Sequence, residues 1–92
     1  AETARTAPPA SDVQAHVDAH PEDLQVRYQL AAVLLAADDF DGALQALLFI
    51  ARHDRNFRHD IGRVSMLALF DLLGPQHPAT RKFRPLLAES LH

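Results

Sequence analysis

Residues 24–57, LQVRYQLAAVLLAADDFDGALQALLFIARHDRNF, decide the fold. Leu24, Tyr28, Ala31, Leu34 and Leu35 recur at the three- and four-residue steps that gather side chains on one face of an α-helix. Leu30 and Val33 widen the stripe, so this helix, expected over about 22–37, packs on two sides. Asp38-Asp39 stops it and caps a second helix, expected over about 39–53. There Phe40, Ala43, Leu44, Leu47, Ile50 and Ala51 make the buried face. Gly42 costs about 1 kcal/mol against Ala inside a helix, which points to a close approach of two helices. Asp54-Arg55-Asn56-Phe57 is a connector. So short a link between two amphipathic helices makes them antiparallel neighbours.

Working outward, residues 1–10, AETARTAPPA, read as a flexible Ala/Pro linker, a tether to something upstream. Ser11 is placed to cap a short helix over about 12–19, with Val13 and Val17 as its apolar stripe. His20-Pro21 breaks that helix, because the residue before proline avoids helical geometry. Pro21, Glu22 and Asp23 then suit the start of the next. Beyond the connector a fourth helix is expected over about 59–73. Its Ile61, Val64, Met66, Leu67, Leu69, Phe70, Leu72 and Leu73 leave little polar surface, so it is central or faces a second partner. Gly74-Pro75 stops it, and Pro78 opens a last helix over about 78–91, with Phe83, Leu86, Leu87 and Leu91 as its stripe. Pro85 falls inside that span and predicts a bend near residues 81–85. The expected fold is all-α, four to five helices in antiparallel hairpins, forming one domain over 11–92.

Composition narrows the function. The 92 residues are 48% hydrophobic and 23% charged, too apolar for disorder throughout. Nine Lys and Arg against twelve Asp and Glu give a net charge of −3, and the densest basic cluster is Arg81, Lys82 and Arg84. A solvated helix face accounts for that cluster better than a nucleic-acid footprint does. No apolar run reaches the roughly 20 residues that span a bilayer, and no secretory signal is present. No membrane partner is therefore expected. Cysteine is absent, which removes disulfides, thiol catalysis and cysteine-ligated zinc. It is compatible with a reducing compartment, and the expected location is cytoplasmic.

No catalytic, cofactor or metal site emerges. His16 and His20 have the four-residue spacing of two metal ligands on one helix face, but two are too few and no glutamate lies between them. His53-Asp54 and His59-Asp60 set acid beside base, yet adjacent helical residues point about 100° apart, and no nucleophile accompanies them. Asp38, Asp39 and Asp41 resemble half a calcium loop and are better explained by capping.

A helical hairpin of about 34 residues is the unit of tetratricopeptide repeats. Leu30-Ala31, Leu34, Asp39-Phe40-Asp41-Gly42-Ala43, Leu47 and Ile50 resemble that pattern, with Asp38 standing where Gly is usual and Arg55 where Pro is usual. The second unit, from about 58, departs further, its turn Gly74–Pro78 being longer. Four pieces also resemble the C-terminal helical region of the bacterial thioredoxin-domain co-chaperones. They are His20-Pro21-Glu22-Asp23, Asp39-Phe40-Asp41-Gly42-Ala43-Leu44, Arg52-His53-Asp54-Arg55-Asn56-Phe57 and Leu67 to Pro75. The resemblance implies a thioredoxin fold upstream and a non-catalytic domain that binds unfolded polypeptides or a chaperonin. The alternative is a module that dimerises or braces the upstream domain. In a tetratricopeptide hairpin the first helix of each unit lines the concave side, which sets Tyr28, Ala32 and Leu35 beside Met66, Leu69 and Phe70. Those residues either form a client groove or close the core or a homodimer interface. The last helix, through Phe83, Leu87 and Leu91, is the second candidate surface, with core packing as its alternative.

Overall fold

The computed structural model describes residues 10–90. Five helices and no strand occur among them: α1 Ala10–Ala19, α2 Leu24–Ala36, α3 Phe40–His53, α4 Ile61–Leu73 and α5 Pro78–Ser90. Of the expected linker, residues 1–9 lie outside the described residues, and Ala10 already belongs to α1. Ser11 is accordingly inside the first turn and is not the residue that precedes it.

Local chemistry sets the boundaries. The expected start of α2 moves from 22 to Leu24, because Asp23 is its N-cap, with a side chain that accepts from the Val26 N–H at 3.3 Å. At the other end Asp38 takes a left-handed conformation, φ 62°, in the place glycine usually fills. The Asp39 N–H then reaches the Leu34 carbonyl at 2.9 Å and the Asp38 N–H the Leu35 carbonyl at 3.0 Å. Asp39 in turn caps α3 by accepting from the Gly42 N–H at 3.0 Å. Two consecutive aspartates thus end one helix and begin the next, which keeps the hairpin turn tight.

The start of α4 differs from expectation for a different reason. Arg58, His59 and Asp60 all sit at positive φ, 49°, 60° and 65°. Three left-handed residues cannot belong to a right-handed helix, so α4 begins at Ile61 and not at 59. Asp60 caps no backbone group and instead accepts from the Arg63 Nε at 2.6 Å. Gly74, at φ 90°, ends α4 as its sequence predicts. His77 caps α5, its Nδ1 accepting from the Ala79 N–H at 3.0 Å. The helical run continues unbroken through Pro85, leaving the Arg81 carbonyl without its usual N–H partner.

The central helix is α3, not α4. It packs against α2, α4 and α5, while α2 and α4 scarcely meet each other. Its Leu44, Leu47, Leu48 and Ala51 join Ala31, Met66, Leu69, Phe70, Phe83 and Leu87 in the main core. A second, smaller cluster holds α1: Val13 and Val17 close on Leu30, with Val26, Val33 and Leu34 around them. The wide stripe of α2 therefore serves two cores, as its width implied.

Gly62 governs how α4 meets α3. A Cβ there would lie 2.9 Å from the Leu47 carbonyl oxygen and 3.0 Å from the Ala51 nitrogen, both backbone atoms of α3. Gly42 plays a softer version of the same part, its virtual Cβ falling 3.0 Å from Leu34 Cδ1 of α2. Helix propensity alone favours Gly62→Ala by about 1 kcal/mol, but overpacking against backbone costs more. We expect Gly62→Ala to lose about 1–2 kcal/mol in urea denaturation; a gain would show that α3 and α4 can separate freely. Thr80 is fully buried and its Oγ1 makes no hydrogen bond among the described residues. Thr80→Val keeps its shape and should add about 1 kcal/mol, a rise in Tm of roughly 4–8 °C by calorimetry.

Candidate functional site

Because α2 and α4 both stand on α3 without closing on each other, an open groove of about 290 Å³ runs between them. Tyr28, Ala31, Ala32 and Leu35 of α2 form one wall, and Ser65, Ala68, Leu69 and Leu72 of α4 form the other. Ala43 and Leu47 of α3 make the floor. Small residues at the mouth, Ala32 and Ala68, keep it open, and Leu72 stands 74% exposed beside it. The only side-chain polar groups in the lining are the hydroxyls of Tyr28 and Ser65. The lining therefore offers apolar contact surface and two hydroxyls.

One end of the groove carries a fixed positive charge. The Arg58 guanidinium donates to Gln25 Oε1 at 3.1 Å and lies 5.4 Å from the centre of the Tyr28 ring.

The expected site residues divide. Tyr28, Ala32, Leu35 and Leu69 line the groove. Met66 and Phe70 do not: both are fully buried beneath α4, in the main core. The core alternative also describes α5, where Phe83 and Leu87 are buried in the same cluster. Leu91 lies outside the described residues. The second candidate surface is therefore a packed one as far as it is described. Ser65, Ala68 and Leu72 were not anticipated. Their signal was Gly62: once that glycine faces α3, Ser65, Leu69 and Leu72 fall toward α2, and Met66 and Phe70 fall inward.

The histidines and aspartates take structural places. His16 and His20 lie with ring centroids 4.7 Å apart, and His16 Nε2 is 3.7 Å from the capping carboxylate of Asp23. His53 stacks on Phe49 at 3.8 Å, and the Arg27 guanidinium sits 3.4 Å from the centre of the same Phe49 ring. Burial lowers the pKa of Arg27 from its ordinary value, an effect that Asp18 opposes. Asp54 accepts from the Asn56 N–H at 3.0 Å, and Asp41 pairs with Lys82 at 3.5 Å. Among the described residues no group of three or more His, Asp or Glu is arranged to hold a metal ion. No helix there is long and apolar enough to cross a membrane.

These features, paired helices stacked side by side around a shared face, have a counterpart among known families. A family model described as tetratricopeptide repeat matches residues 3–92. No curated protein and no solved structure matches the chain. With nearly its whole length covered by that family's model, the chain belongs to the tetratricopeptide repeat family.

Proposed function

We propose that this chain is a non-catalytic protein-binding domain whose α2–α4 groove receives short apolar segments of unfolded polypeptides. In this reading it is the adaptor part of a thioredoxin-like co-chaperone, acting in the cytoplasm and passing clients to a chaperonin. Tetratricopeptide domains generally mediate contacts between proteins, which supports the broader part of the proposal. The observation that carries the finer part is the groove lining. It is open, almost wholly apolar, and walled by small residues that accept different side chains without a fitted pocket. Such a surface suits weak binding to many sequences, because each segment gains by burying apolar area and none by a specific hydrogen bond. The basic end at Arg58 favours segments that carry an acidic residue beside the apolar one.

Ala32 and Ala68 give a clean test, because both are exposed and neither belongs to the core. A fluorescent, carboxymethylated and therefore permanently unfolded polypeptide is titrated with the chain, and anisotropy is read. The double variant Ala32→Glu, Ala68→Glu should melt like the parent and bind at least about tenfold more weakly. A parallel titration with a chaperonin assigns the partner. Parent chain that binds neither probe, or a double variant that binds as well as the parent, would defeat the reading.

A further inference from the structure

Next to the groove, α4 presents a second apolar surface that nothing among the described residues covers. Val64 is 46% exposed and Leu67 41% exposed, and Ala68 completes the patch. The charges that flank it are the wrong way round for a lone helix. Arg63 stands in the first turn and Asp71 in the last, so each meets the like-signed end of the helix dipole. Arg63 is partly offset by Asp60 through its Nε, which leaves its two terminal nitrogens available. Asp71 is exposed and forms no ion pair among the described residues. Eight residues apart, Arg63 and Asp71 are separated by about 12 Å along the axis and cannot pair within one copy.

We infer that this face of α4 pairs with the same face of a second copy, antiparallel, about a two-fold axis at Leu67. A two-fold contact demands that each feature on the patch find its complement elsewhere on the same patch. This one does. Turning the helix end for end about Leu67 sets that leucine against its own counterpart and brings each Asp71 level with the other copy's Arg63. The charges that oppose the dipole in one copy are then neutralised twice over, and the two helix dipoles run antiparallel. A foreign partner has no such reason to match the order basic, apolar, acidic along one helix. A contact about one helix wide, near 20 Å long, lies at the small end of specific interfaces, so the dimer is weak and dissociates in the micromolar range.

The proposal does not rest on the groove reading, and its test turns on Arg63 and Asp71, which lie outside the groove lining. Sedimentation velocity on the chain, from low micromolar to near millimolar, should show a monomer–dimer equilibrium. Asp71→Arg sets two arginines against each other at both ends and should raise the dissociation constant more than about tenfold. Arg63→Glu combined with Asp71→Arg restores opposite charges and should restore the dimer. Ala32→Glu, on the far wall of the groove, should leave it unchanged. Circular dichroism on each variant confirms that the helices persist. A chain monomeric throughout the range overturns the proposal and leaves this face to a different partner. So does a dimer that ignores Asp71→Arg, or one that the double exchange does not rescue.

Discussion

The seating of α4 on α3 at Gly62 is the constraint from which the rest follows. With backbone atoms of Leu47 and Ala51 about 3 Å from where a Cβ would be, the close approach of α4 to α3 requires the Gly62 side of the helix to face inward. That rotation drives Met66 and Phe70 into the core and turns Ser65 and Leu72 toward α2. It also leaves Val64, Leu67 and Asp71 to solvent. A single missing side chain thus apportions one helix among three surfaces: the packed interior, the groove wall and the outward face.

The hairpin of α2 and α3 was legible in sequence because its signals are local. Apolar spacing, the Asp38-Asp39 pair and Ala43 each act within a turn or two, and the structure uses them in those places. The stop at Gly74 is equally local. The start of α4 was not legible: His59 and Asp60 are of types that adopt positive φ more readily than most, but Arg58 is not, and no glycine or asparagine marks the run. The long apolar run of α4 had the same difficulty in a second form. Eight large apolar residues in thirteen fill every side of a helix, so periodicity alone could not say which side was inward. Only a contact with α3 settles that, and it is made by Gly62, a residue that has no side chain to reveal it in a hydrophobic pattern.

The groove was half readable for the same reason. Tyr28, Ala32 and Leu35 lie on a helix whose register its own sequence fixes, and all three line the site. On the opposite wall only Leu69 was anticipated, and Met66 and Phe70 turned out to be support for the site, not part of it. This changes what the site can be. A surface built on Met66 and Phe70 would be flexible and aromatic, able to grip. The wall that is present offers Ser65 and Ala68, with Leu72 at the rim, which is shallow and low in contact area. On the proposed function, affinity for any one segment is correspondingly modest, and breadth takes its place.

The two α4 surfaces meet along Ala68, which borders both the groove and the outward face. Small size there has a physical consequence for both. In the groove it leaves room between α2 and α4, and at the edge of the outer face it would add no bulk against a second helix. Pairing of two copies through that face would bring the two grooves to opposite sides of one α4–α4 seam. Two weak apolar sites joined at a fixed spacing hold an extended chain more firmly than either alone, because the second contact forms at the high effective concentration set by the first. Under the proposed function, the modest depth of each groove is then compatible with useful retention of a long unfolded client, while any single segment remains free to leave.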